Sequence, residues 1–102
     1  MGEDRATRPF RLADGPDGVL VVAGELDLSG AAELRRRLAS PPVVAVVDLR
    51  EVSFIDAAGL HALEAVPALT WRAPSPTVRR LLRLLDLVDA HVIEGEPQQD
   101  AP

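Results

Sequence analysis

Three groups of residues in this chain have types that do chemistry. His61 and His91 are its two histidines. They lie far apart in sequence with no ligand-spaced acids beside them, so they read as inert or structural rather than as metal ligands or general bases. Asp27 and Asp56 can be read as a carboxylate pair for acid–base work. A turn aspartate and a helix-capping aspartate account for both without catalysis. Arg79, Arg80 and Arg83 carry guanidinium groups that grip phosphate in other settings. Sixteen acidic residues against eleven basic ones give a net charge of -5. That sign favours a solvated helix face for the arginines and argues against nucleic acid or an anionic membrane as partner.

Other chemistries are excluded by residue type. There is no cysteine, and all eleven basic residues are arginine. Disulfides, thiolate metal sites, Schiff bases and lysine-dependent phosphate loops are therefore impossible. Gly15-Pro16-Asp17-Gly18 has neither the spacing nor the composition of a phosphate-binding loop. No cofactor and no enzymatic activity are expected.

One segment, Phe54 to Leu60, has a distinctive pattern. A buried strand leads through a tight connection into a helix that starts Ala57-Ala58-Gly59. Small residues there leave backbone N–H groups open, at the electropositive end of the helix dipole. Such a place suits an anion or the close approach of another protein. It equally suits a helix that packs tightly on a sheet.

The elements that position this segment follow from periodicity and turn chemistry. Phe10 to Ala13 and Val19 to Ala23 flank the turn formers Asp14-Gly15-Pro16-Asp17-Gly18 and predict a hairpin. Ser29 is the expected N-cap of a helix reaching about Ala39, with Ala31, Leu34 and Leu38 on its buried face. Pro41-Pro42 ends it. Val43 to Val47, followed by Asp48 and Leu49, reads as a central strand covered on both faces, with Val44 and Val46 on one side. Arg50 to Ile55 reads as a connection with buried anchors. Asp56 caps a second helix that stops before Pro67. Ala68 to Arg72 is a short strand. Ser75-Pro76 opens a third helix, whose stripe is Val78, Leu81, Leu82 and Leu85. His91-Val92-Ile93 is a last edge strand.

This order predicts a single small α/β domain, a mixed β-sheet with helices packed on one face. Residues 1–8 are expected to be a flexible N-terminus, 9–93 the domain and 94–102 a disordered acidic tail. No apolar stretch resembles a signal peptide or a membrane span, so a soluble cytoplasmic protein is expected.

Three motifs resemble the STAS family, which takes its name from sulfate transporters and anti-sigma factor antagonists. They are Gly24-Glu25-Leu26-Asp27-Leu28, Val52 to Leu60 following the strand Val43 to Leu49, and Pro74 to Leu82. The resemblance runs from about Phe10 to Ile93. It implies a bacterial regulatory module that binds a serine kinase of the anti-sigma type. It also implies that the residue after the capping aspartate is a phosphorylated serine or threonine, with Asp27 close to that site. Here the acceptor position is Ala57 and its neighbour is Ala58, so that switch has no hydroxyl to act on. The nearest hydroxyl upstream, Ser53, lies on the wrong side of the cap. Pro67 also shortens the second helix relative to the family. The partner-binding set implied by the resemblance is Asp27, Asp56, Ala57, Ala58, Gly59 and Leu60. The alternative role is an accessory subunit of a lipid or anion transport complex, which needs no phosphorylation.

Overall fold

A computed structural model describes residues 10–85 and 92–94. The chain runs β1 (Arg11–Asp14), β2 (Val19–Leu26), α1 (Leu28–Leu38), β3 (Val46–Ile55), α2 (Ala57–Glu64), β4 (Thr70–Arg72), α3 (Pro76–Leu84) and β5 (Val92–Glu94). The five strands form one sheet in sequence order; β1 pairs antiparallel with β2, and all later pairs are parallel. Parallel neighbours joined by right-handed crossovers place α1, α2 and α3 on one face of the sheet. The mixed sheet with helices on one face is thus the observed architecture.

The hairpin forms where the turn residues lie. Asp17 and Gly18 both adopt positive φ, at 57° and 76°, and the Gly15 N–H donates to the Val19 carbonyl at 2.8 Å. That turn also sets where β3 begins. The N–H groups of Ala45 and Val46 donate to the Gly18 carbonyl, and Val46 pairs with Val19. Residues before 45 therefore have no strand to lie against. Val43 is 81 % exposed and Val44 is buried, so the expected strand from Val43 with alternating valines is corrected to Val46–Ile55. The segment Arg50 to Ile55, expected as a connection, is the second half of that strand. Its buried anchors are Val52 and Ile55, while Phe54 is 46 % exposed.

Ten residues of β3 run beside eight of β2, and the mismatch is absorbed by two register shifts. Val21 and Ala23 face Asp48 and Glu51, and Gly24 and Glu25 face Val52 and Phe54. Gly24 takes φ of 89°, a value that glycine reaches without strain. The bulges break the alternation of β3, so Arg50 with Glu51, and Ser53 with Phe54, are consecutive exposed pairs.

The core lies between the sheet and the helices. Leu20, Val22, Leu26, Val47, Leu49, Val52 and Trp71 from the strands meet Leu34, Leu63, Val78 and Leu82 from the helices, each at most 2 % exposed. Of the α3 stripe, Val78 and Leu82 are buried and Leu81 packs against the core, but Leu85 is half exposed at the helix end. Arg37 on α1 donates from Nε and Nη2 to Asp14 Oδ1 at 3.1 and 3.0 Å, tying the helix to the hairpin. Glu94, expected in the tail, is instead in β5 and pairs in register with Arg72. The expected flexible residues 1–8, His91 and the tail from 95 onward lie outside the described residues.

Candidate functional site

The first turns of α1 and α2 sit side by side beyond the C-terminal ends of β2 and β3. Leu26 and Ile55 are register partners, and the Asp56 N–H donates to the Leu26 carbonyl at 3.4 Å. The residue after each strand, Asp27 and Asp56, is the N-cap of the helix that follows. Asp27 Oδ1 accepts the Gly30 N–H at 3.1 Å and Asp56 Oδ1 accepts the Gly59 N–H at 3.0 Å. The cap of α1 is therefore Asp27 and not Ser29, whose hydroxyl donates to Asp27 Oδ1 at 3.3 Å. Aspartate wins because β2 ends at Leu26, which leaves Asp27 as the last extended residue.

Capping accounts for both carboxylates. The Gly30 N–H holds the Asp27 carboxyl below its ordinary value, helped by the Ser29 hydroxyl and opposed by partial desolvation. A group held ionised by a helix start is poorly suited to accept a proton as a general base. Among the described residues no cluster of three or more histidine, aspartate or glutamate side chains could hold a metal ion. His61 is exposed on α2.

The residues of the sequence-derived set divide by burial. Ala57 is exposed, while Asp27, Asp56 and Ala58 are partly exposed. Gly59 is buried and Leu60 is only 3 % exposed. These two hold α2 on the sheet and offer no surface to a partner. A Cβ on Gly59 would lie 2.7 Å from Leu26 Cγ and against the Leu26 carbonyl oxygen, so only glycine allows this approach. Leu28, the first residue of α1, was not singled out in the sequence, yet it is 73 % exposed beside Asp27. A helix start at Asp27 rather than Ser29 is the signal that would have found it.

The resulting surface is a shallow patch of small and apolar groups, Leu28, Ala57 and Ala58, flanked by two capped carboxylates. The helix starts beneath it contribute partial positive charge, which offsets part of the carboxylate charge. Such a patch admits another backbone closely.

A fold of this kind with this helix-cap arrangement defines a class. The family model described as "Mlab, STAS domain" matches residues 11–94, and the chain belongs to the STAS domain family. Solved structures with the same architecture include an anti-sigma factor antagonist from Mycobacterium paratuberculosis. It is 28 % identical with a TM-score of 0.63, over 89 % of this chain and 88 % of that one. The anti-sigma factor antagonist SpoIIAA in its unphosphorylated form is 22 % identical with a TM-score of 0.56, over 90 % and 92 %. The phosphorylated form of the Bacillus cell fate determinant SpoIIAA is 20 % identical with a TM-score of 0.52, over 90 % and 96 %. Among curated proteins, none matches the chain by sequence. The fold is that of a regulatory protein-interaction module. Among the described residues no helix is long and apolar enough to cross a membrane.

Proposed function

We propose that this chain is a non-enzymatic binding module of the anti-sigma factor antagonist kind, which docks a serine-kinase-type anti-sigma factor in the bacterial cytoplasm through the surface around Ala57. The observation that carries the reading is Ala57 itself, exposed at the first position of α2 directly after the capping Asp56. That is where the family resemblance places a phosphorylated hydroxyl. With alanine there, the module stays permanently in the state that corresponds to an unphosphorylated antagonist. The 28 % identity to the Mycobacterium paratuberculosis antagonist supports the partner class.

The alanine also favours a second reading, an accessory subunit of a lipid or anion transport complex, since such a role requires no phosphorylation. One experiment separates them. Affinity purification from the native host identifies the partner, and variants of the chain are titrated against it. Ala57→Glu places a third carboxylate beside two, unpaired at a buried interface, and weakens binding by about a hundredfold. Arg36→Glu, on the exposed face of α1, leaves binding unchanged. If the partner is a kinase, labelled ATP leaves the parent unmodified and marks Ala57→Ser at the new hydroxyl. Capture of transporter subunits instead sinks the anti-sigma reading. Tight binding by Ala57→Glu with loss in Arg36→Glu moves the interface elsewhere.

A further inference from the structure

The sheet beside the start of α3 carries a feature that the partner reading does not use. An open trough of about 560 Å³ lies across its upper end, with Ala23 and Gly24 of β2 among the residues that line it. One side includes Arg11 of β1, which stands opposite Ala23 in the antiparallel register. Another is β3 from Arg50 to Ser53, and the trough is closed by Thr77 and its neighbours at the start of α3. Its size is in the range of small-molecule sites.

The two bulges of β3 shape this trough. In a regular strand Arg50 and Glu51 would point to opposite faces, and so would Ser53 and Phe54. The register shifts leave all four exposed, and Arg50, Glu51 and Ser53 line the trough together. Bulges are uncommon in parallel pairing and re-aim side chains where they occur. Two within one parallel pair, both bordering one cavity, build a site rather than merely ending a ladder.

The lining chemistry names the ligand. Arg11 and Arg50 supply two guanidinium groups from different strands, suited to a phosphate by charge and by their fork of donors. Arg50 forms an ion pair with Asp48 at 3.6 Å, but its side chain is 63 % exposed, so its remaining donors can turn toward a ligand. Ser53 and Thr77 add hydroxyls, and Glu51 adds one acceptor. In a chain of net charge -5, the charged residues of the lining itself are two arginines against one glutamate. The start of α3 contributes little, because Ser75 already caps the Val78 N–H at 3.3 Å and Pro76 has none to give. We infer that this trough binds a small phosphorylated molecule that also carries an ammonium group, the phosphate on Arg11 and Arg50 and the ammonium on Glu51.

Amide shifts of the full-length isotope-labelled chain test this, with O-phosphoethanolamine, inorganic phosphate and ethanolamine as probes. O-phosphoethanolamine produces saturable shifts at Gly24, Ser53 and Thr77, with a Kd of about 1 mM or tighter. Inorganic phosphate shifts the same amides more weakly, and ethanolamine alone does not. Replacing Arg11 and Arg50 together by glutamine weakens binding at least about tenfold, whereas Arg36→Gln leaves it unchanged. Glu51→Gln makes O-phosphoethanolamine and inorganic phosphate bind alike. All these side chains are exposed, so melting curves of the variants overlay the parent. Shifts that never saturate, that persist in the double variant, or that centre on Ala57 to Gly59 overturn the site. Equal binding of the two phosphates by the parent overturns the ammonium half of it.

Discussion

Gly59→Ala isolates the contact that brings α2 onto the sheet. An alanine in a helix is normally favoured over glycine by up to about 1 kcal/mol. Here the new methyl would lie 2.7 Å from Leu26 Cγ and 3.2 Å from Ile55 Cγ1, and would press on the Leu26 carbonyl oxygen. The leucine side chain can turn aside, but the carbonyl belongs to β2, where the ladder holds it. Relief therefore requires α2 to move outward, and overpacking of this kind costs roughly 1 to 3 kcal/mol. Set against the full propensity gain, the net loss is up to about 2 kcal/mol, and each kcal/mol lowers the Tm of a domain this size by about 4 to 8 °C. Gly15→Ala is the paired control. Its methyl would find the nearest atom, the Val19 carbonyl oxygen, at an ordinary 3.5 Å, so it should be neutral or stabilise by up to about 1 kcal/mol. Thermal melts followed by circular dichroism read both. A Tm for Gly59→Ala at or above the parent would refute the argument that close approach, not helix chemistry, demands glycine there.

The remaining expectations concern the core and the first cap. Leu82→Ala empties a position that is 1 % exposed between α3 and the sheet and costs about 2 to 5 kcal/mol in denaturant unfolding; a loss below about 0.5 kcal/mol contradicts the packing. Asp27 has a lowered pKa in the folded chain, so its charge stabilises the fold above the unfolded-state pKa of about 3.9, and that contribution is lost as pH falls through the lower folded value. Asp27→Asn keeps a capping oxygen but does not titrate, so the stability difference between it and the parent should shrink on acidification; a difference independent of pH refutes the linkage.

Local chemistry made much of the fold legible. The hairpin was readable because Asp17 and Gly18 are turn formers, and α3 because Ser75-Pro76 precedes an apolar stripe that does bury Val78 and Leu82. Two errors have one origin. The valine run from Val43 has the composition of a strand, yet strand pairing is a property of two segments. The β2 partner begins only at Val19, so Val43 and Val44 have no strand to pair with. In the same way Arg50 to Ile55 looks too polar and irregular for a strand, because its pattern is that of a strand with two bulges. A period-two template reads an inserted residue as a break in the strand.

The candidate site was half legible for a related reason. A capping aspartate ahead of Ala57 could be read from residue types alone, and the cap is there. Which of the following residues face outward could not, because that depends on how closely α2 approaches β2. The approach is set by Gly59 against Leu26, a contact between residues 33 positions apart in sequence. It turns Gly59 and Leu60 inward and leaves Ala57 as the outermost small residue. At α1 the cap falls two residues earlier than expected, which adds one exposed leucine to the same surface. The surface and the packing are therefore one design. Small residues at the start of α2 serve close packing beneath, through Gly59, and leave Ala57 exposed above, where the proposed docking surface lies.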